Sequence, residues 1–591
     1  MQWKLATVKP INKGKGSPSE PGSYRPISLL PCISNFFEKL IFAQIYDYLN
    51  KNELLTQKQS GYRPGHNTEL QLVYLTDKIF KALNSGDDYT IIYLDISRYF
   101  EKIWHEGLLA KCDVEFGIRG SELLWIESYL KDRQQIVQVG NATSSPPTLA
   151  AGVPQGSVLG PLLAIMYLNG LSKITENEML FFADDSSLHV SHNACNFAKV
   201  ERSLQRDLDR IKCYGNDWSI TFNATKTTQQ TLTNKATPKI PALNFDGMAV
   251  PACDAHKHLG LTISSDLRFK AHINNILSKF NRTLSPLYPI ASFLPRKVLL
   301  HIYQIYVQPH LDYCDTVFDS HLTVTDKSRL EKAQKRAARL ITSTPRRTPT
   351  AGLLKELGWT TLENRRRVHR LQLYHKLKAD DHVPNYIKNI IPSTRNPAPG
   401  VILRSTQNHE LSIPRARTAA YARSFIPKTT RTWNELPNSL RNENSHRLFK
   451  KKLVMREDHQ SDHFYLTIGS KLGNMLHTRI RLNASDLKEH RTGLGKSESP
   501  TCDCGASKES TEHFILSCPL FLSARTWLFQ EISAALETNF QSMPSQLKID
   551  ILINGPKSVS EVEIKVALAF QQFIHLTRRF CFAERALGAN R

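Results

Sequence analysis

Two adjacent aspartates, Asp184 and Asp185, stand between the apolar runs Leu180-Phe181-Phe182 and Leu188 to Val190, and a third, Asp95, ends another such run at Tyr93-Leu94-Asp95. Carboxylates at a tight hairpin tip, beside one from a neighbouring strand, form a donor set for two divalent cations about 3.5–4 Å apart, the separation used in in-line phosphoryl transfer. Magnesium takes hard oxygen ligands and keeps several waters, so these carboxylates and substrate phosphates complete its shell without histidine or cysteine. An Asp-Asp pair alone is common in solvated turns; here strand-like runs on both sides aim it. A second donor set, Cys502-Asp503-Cys504, His513 and Cys518, offers three thiolates and an imidazole, which can close a tetrahedral zinc site. Its first spacer is shorter than the usual zinc-finger gap, and the competing reading is a set of reduced cysteines in a small packed subdomain.

The elements that must position the aspartates follow from periodicity. Phe36 to Leu49 and Thr68 to Leu83 repeat apolar residues at helical spacing, Thr90 to Asp95 is a compact β-rich run, and Ile136 to Val139 is a second short strand. Phe197, Val200, Leu204, Leu208 and Ile211 mark another amphipathic helix, and Trp218 to Phe222 reads as extended. A sheet floor carrying carboxylates, with helices packed beneath it, makes the fold class α+β. After about residue 266 strand signals thin out. Val298 to Val307 and Lys327 to Ile341 read as helices, the second with Leu330, Ala333, Ala337 and Leu340 on one face and Lys332, Lys335, Arg336 and Arg339 elsewhere. Those cations, like the run Arg365 to Arg370, fit either a solvated face or phosphate contact. Gly14 to Gly22, Ser144 to Pro147 and Pro392 to Pro399 read as turns or linkers.

The chain has 591 residues and a formal charge of +23, from 77 Lys and Arg against 54 Asp and Glu. That length requires several domains, and that charge favours a polyanionic partner, nucleic acid before a membrane. No apolar run reaches the roughly 18 residues that span a bilayer, and the start lacks a signal-peptide core. An intracellular protein is expected, in nucleus or cytoplasm, with no clear targeting signal. Ten mostly isolated cysteines suit a reducing compartment.

Ordered blocks then carry a resemblance. Trp3-Lys4-Leu5-Ala6, Ser23-Tyr24-Arg25-Pro26-Ile27-Ser28, Gly61-Tyr62-Arg63-Pro64-Gly65-His66, Leu94-Asp95-Ile96, Ala151-Gly152-Val153-Pro154-Gln155-Gly156 and Phe182-Ala183-Asp184-Asp185 resemble, in order, the reverse transcriptase of jockey-like non-LTR (LINE-type) retrotransposons. The resemblance implies a right-hand polymerase, with fingers and palm over 1–265, a helical thumb over 266–350, a basic connector over 351–460, and a mostly helical C-terminal region over 461–591 holding the Cys-Cys-His-Cys element. It implies RNA-directed DNA synthesis with two Mg2+ ions, or Mn2+ in their place, on an RNA template with a DNA primer or target DNA and deoxynucleoside triphosphates, and a structural Zn2+.

Family roles transfer singly. Asp95 and Asp184 match the metal-ligating aspartates, and Asp185 the least direct third acid. Phe100 matches the aromatic gate against a ribose 2′-hydroxyl, with an ordinary core aromatic as the alternative. Arg63 matches a triphosphate clamp, Gln155 and Gly156 the loop where bare backbone approaches template base and nucleotide, and Lys226 the lysine that protonates pyrophosphate. His256 and His258 are read as structural. Where the family has a small residue and Phe-Asp, this chain has Tyr99-Phe100-Glu101, so Tyr99 is expected to crowd the gate. The start inside the first fingers block leads to the expectation of a chain that polymerises without nicking its own target. A decayed remnant that only binds nucleic acid is the alternative, and an RNA-dependent RNA polymerase a third reading.

Overall fold

The computed structural model describes residues 2–14, 16–394, 410–457, 468–555 and 560–580; residues 395–399 of the second Pro-rich loop and Cys581 lie outside the described residues. The chain divides into two compact units, one of residues 1–269, 316–321 and 373–446, the other of 270–315, 322–372 and 447–591.

In the first unit the expected helices span Cys32–Lys51 (α1), Thr68–Ser85 (α2) and Phe197–Asp217 (α6), with His105–Val114 (α3), Gly120–Leu130 (α4) and Gly160–Leu168 (α5) between them. Asn67 caps α2, its side-chain oxygen accepting from Leu70 N at 2.8 Å, which satisfies one of the free N–H groups at a helix start. The acidic strand Asp88–Leu94 (β3) is buried along its whole length and lies inside a four-stranded sheet between Asp185–His192 (β7) and Thr228–Leu232 (β8), with Glu178–Phe182 (β6) at the edge beyond β7. Burial on both faces explains why β3 reads as a continuous apolar run rather than an alternating one. Its floor is the core of Leu108, Leu162, Met166, Leu208 and Ile211.

A second four-stranded sheet, of which only the strand at Ile136 to Val139 is expected from the sequence, joins Leu5–Asn12 (β1), Tyr24–Leu29 (β2), Gln134–Val139 (β4) and Ala142–Thr143 (β5) in the order β2-β1-β4-β5. Pro10 and Pro26 argue against strands, since proline donates nothing to a ladder. The register pairs Pro10 of β1 with Pro26 of the edge strand β2, so the two missing donors coincide. Trp218 to Phe222 is not a strand: α6 runs on to Asp217, the chain turns at Ser219 with φ 52°, and only Phe222 bridges, to Ile96.

The second unit is helical. The helix expected at Lys327 to Ile341 spans Val324–Thr342, with Leu330, Ala333 and Ala337 buried as the spacing predicts. The stretch from Val298 is an α-helix, Arg296–Ile302, that widens into a π turn at Tyr303–Val307. Farther on, Lys471–Arg481, Leu522–Leu536 and Ser560–Leu576 pack around Leu476, Phe514, Leu528, Phe570 and Phe573.

Candidate active site

Strand pairing brings the aspartates to one end of one sheet. β6 and β7 pair Phe182 with Asp185, leaving Ala183 and Asp184 as a two-residue turn. β3 and β7 pair Leu94 with Ser186, and Asp95 is the next residue along. The Asp95 carbonyl accepts from Asn223 N at 2.8 Å, and Lys226 Nζ donates to Asp95 Oδ2 at 3.2 Å. Burial, then the facing Asp95, pushes the Asp184 carboxyl above its usual value. Asp185 keeps an exposed edge, yet partial burial and the carboxylates of Asp184 and Asp95 push it up to about 6. This is a constellation short of positive charge, with one ammonium already drawn to it.

The turn is held by a residue that the sequence did not single out. Lys58 to Gly61 runs beside β6: Ser60 N donates to Phe181 O at 2.8 Å and Phe181 N to Lys58 O at 3.1 Å. The buried Gln59 side chain then reaches the tip, Nε2 donating to Ala183 O at 3.1 Å and Oε1 accepting from Ala183 N at 2.9 Å. Ala183 has φ 60°, a conformation costly for a residue with a Cβ and persistent only where the surroundings enforce it. Next in the chain, Tyr62 meets the Phe100 ring edge-on, centroids 6.0 Å apart, and burial followed by Asp184 and Asp185 raises its phenol pKa. Tyr62 therefore belongs beside the carboxylates with Phe100. Tyr99 is buried, its hydroxyl donating to Ala164 O at 2.5 Å, and its ring also meets Phe100 edge-on, centroids 6.0 Å apart.

The Gln155 loop is tied to both neighbours. Its carbonyl accepts from Ser28 N at 2.7 Å, and Val153 N donates to Phe100 O at 2.8 Å. Gly156 has φ 130°, and a Cβ there would overlap Ser28 O, so glycine is required by the approach of β2. The main chain entering α5 is anchored by buried Glu38, whose Oε2 accepts from Val158 N at 2.8 Å and Leu159 N at 3.0 Å. Arg63 is not drawn to the carboxylates by any of its bonds; it donates to Thr56 O at 2.8 Å and lines a cleft with His66 and Asp381. His256 stacks on Tyr93 at 3.7 Å, and burial holds it near 4 and neutral, as a structural ring.

Residues 11–263, which contain this whole arrangement, match the family described as reverse transcriptase (RNA-dependent DNA polymerase). The chain carries a reverse transcriptase domain. It is similar to the probable RNA-directed DNA polymerase from transposon BS of Drosophila melanogaster, 30% identical over 402 residues, covering 65% of this chain and 44% of that one. It is likewise similar to that of transposon X-element, 31% identical over 58% of this chain and 38% of that one, and of mobile element jockey, 29% identical over 56% and 36%, both from the same organism. The jockey-like resemblance is thereby borne out, and with it a polymerase-like α+β fold. The chain spans less than half the length of these curated relatives. Among solved structures, apo telomerase from Candida tropicalis aligns with TM-score 0.34 and 13% identity over 58% of each chain.

Outside the reverse transcriptase domain, Cys502, Cys504, His513 and Cys518 bring their ligand atoms within 4.8 Å of one another. Cys504 Sγ is 3.2 Å from His513 Nε2, and Cys502 Sγ 3.8 Å from Cys518 Sγ. The Ala506 N–H draws the Cys504 thiol below its ordinary pKa, while burial pushes Cys518 up to about 12. Asp312, Asp315 and His369 are also close, but His369 bonds Asp315 at 2.7 Å and Arg365 stands 3.5 Å from Asp312, so these charges are matched in pairs. Among the described residues, the carboxylates of Asp95, Asp184 and Asp185 do not draw together that tightly, as expected of like charges.

Proposed function

We propose that the chain is an RNA-directed DNA polymerase of a non-LTR retrotransposon, extending a primer 3′-hydroxyl with deoxynucleotides on an RNA template. The observation that carries this reading is the convergence of Asp95, Asp184 and Asp185, with Lys226, at one end of the β6-β7-β3-β8 sheet. The donor set fits magnesium: all-oxygen ligands, two of them with carboxyl pKa values raised by burial and then by the neighbouring carboxylates. Asp95, Asp184 and Asp185 would hold two Mg2+ ions, or Mn2+, which when bound lower the pKa of the primer hydroxyl and neutralise phosphate charge.

The remaining work falls to the chain. The primer hydroxyl gives its proton to water, its oxygen bonds to the nucleotide α-phosphorus as the bond to pyrophosphate breaks, and Lys226 gives the leaving oxygen a proton. Phe100, steadied by Tyr62, presents a ring that excludes a ribose 2′-hydroxyl. Gln155 and Gly156 set the main chain under template base and nucleotide, and Arg63 grips the triphosphate once it swings from Thr56. In this reading 1–265 is fingers and palm, 266–350 thumb, 351–460 connector, and 461–591 a nucleic-acid-binding end in which Cys502, Cys504, His513 and Cys518 hold structural Zn2+.

The test is primer extension on poly(rA)/oligo(dT) with Mg2+ and dTTP, comparing the chain with Asp184→Ala. Incorporation by the intact chain alone is the expected result; equal background in both would leave the binding-only remnant.

A further inference from the structure

The helical unit contains an open cleft of about 630 Å³, walled by the end of the Val324–Thr342 helix, the short helix Leu287–Ile290 and the Lys471–Arg481 helix. Arg336, Arg339, Arg346, Lys471 and Arg479 line it, with no acidic side chain among the lining residues. Their partners are neutral. Lys471 donates to the carbonyls of Ala291 at 2.5 Å and Leu294 at 2.7 Å, Arg479 to that of Ser343 at 2.7 and 2.9 Å, and Arg336 to the Asn281 amide oxygen at 2.8 Å. These bonds pin the walls without cancelling the charge. Arg339 is the most telling: its Nε is buried and has no hydrogen-bond partner among the described residues, and burial together with neighbouring Arg346 presses its pKa below the ordinary value. Asp486, which does not line the cleft, acts on Arg479. A solvated basic surface mixes its signs; cations held together against their own repulsion form an anion site.

Aromatic faces narrow the anion. Tyr288 lines the cleft and is 50% exposed, and Phe293, 66% exposed, lines an adjoining cleft of about 560 Å³ that shares Lys471, Ser343 and Met475. Exposed rings beside a cationic trough suit unpaired bases on a phosphate backbone, because each base offers a face to stack and a duplex hides those faces. We propose that this cleft binds a single-stranded nucleic-acid segment, with the arginines on phosphates and Tyr288 stacked on a base. The inference rests on the polymerase reading for its partner class, but its test needs no catalysis.

The experiment is fluorescence anisotropy of a labelled oligouridylate of about twelve nucleotides and its deoxy counterpart with the full chain, over a salt series. The combined Arg336→Ala, Arg339→Ala and Arg346→Ala variant is expected to weaken binding at least tenfold and to make the slope of log K against log salt shallower by about two, since each single-strand phosphate contact contributes about 0.7. Tyr288→Ala should weaken binding roughly fivefold with the slope unchanged. A charge-matched control, Lys39→Ala with Lys199→Ala and Arg202→Ala on exposed surface of the other unit, should move the slope by less than half as much. Equal effects from the two triple variants, an unchanged slope, or full displacement of the oligonucleotide by equimolar inorganic pyrophosphate would each overturn the proposal. The RNA and DNA arms identify which strand is held more tightly. Binding and primer extension measured on the parent separate the two readings: a parent that binds through the cleft yet extends no primer refutes the polymerase and spares the cleft.

Discussion

Gly61→Ala tests whether the segment Lys58 to Gly61 holds the aspartate turn in its working position. A Cβ at residue 61 would overlap Ala183 N and stand 2.8 Å from Ala183 Cα and 2.9 Å from Phe182 C. All three are main-chain atoms, so no side chain can swing aside. Restoring ordinary contact of 3.4 Å at Ala183 Cα requires the two chains to part by about 0.6 Å, and the overlap at nitrogen raises the opening to the order of 1 Å. That strains the 2.9 Å bond from Ala183 N to Gln59 and the 2.8 Å bond from Ser60 N to Phe181 O. Overpacking costs about 1–3 kcal/mol and each of the two weakened buried bonds about 1 kcal/mol, a local destabilisation of roughly 3–5 kcal/mol that the large core of this unit should survive. A misplacement of about 1 Å at reacting groups costs on the order of 100-fold in rate. Single-turnover dTTP incorporation should therefore fall about 100-fold while the far-UV circular dichroism of the folded chain stays unchanged. Incorporation within threefold of the parent, at equal folded fraction, would refute the clamp.

Other expectations follow from the same geometry. Glu38→Ala strands the Val158 and Leu159 N–H groups and should lower stability by about 2–4 kcal/mol, read by denaturant unfolding; a loss under 0.5 kcal/mol would show that water replaces the carboxylate without penalty. Asp185 holds its proton more tightly folded than unfolded, about 6 against 3.8, so the metal-free protein should lose stability as pH rises through that interval. Added Mg2+ binds the ionised form, so its effect on the melting temperature should be clear at pH 7 and vanish at pH 5; equal effects at both would contradict the assignment. Phe100→Ala should admit ribonucleotides, raising UTP incorporation relative to dTTP at least tenfold on poly(rA), and an unchanged ratio would return Phe100 to the core. One zinc per chain is expected by elemental analysis, lost in Cys504→Ser and Cys518→Ser; a metal-free parent purified without chelator would remove the zinc reading.

What the sequence disclosed depended on how far apart cause and effect lie along the chain. β3 and the β6-β7 turn were legible because strand burial is written into adjacent residues, and Asp95 and Asp184 because they are carboxylates at the ends of those same apolar runs. β1 and β2 were hidden by Pro10 and Pro26, whose cost disappears only when each is seen to face the other. At Gly156 the approach that the missing side chain permits within the fold is that of Ser28 O.

Gln59 and Glu38 show the deeper limit. Each is a polar residue in ordinary sequence surroundings, and each satisfies main-chain groups more than a hundred positions away, Ala183 and Val158-Leu159. A buried amide or carboxylate without a partner is costly, so either would be selected against unless the distant segment arrived to meet it. The carboxylates of the proposed chemistry repel one another and could not assemble by their own attraction. Their convergence must be enforced from outside the carboxylate set, and in this fold it is enforced by the β3-β7 register, the Gln59 amide and the Lys226 ammonium. A variant that keeps all three aspartates but lacks Gln59 should consequently resemble an aspartate mutant in rate more than a surface mutant, although nothing around position 59 in the sequence distinguishes it.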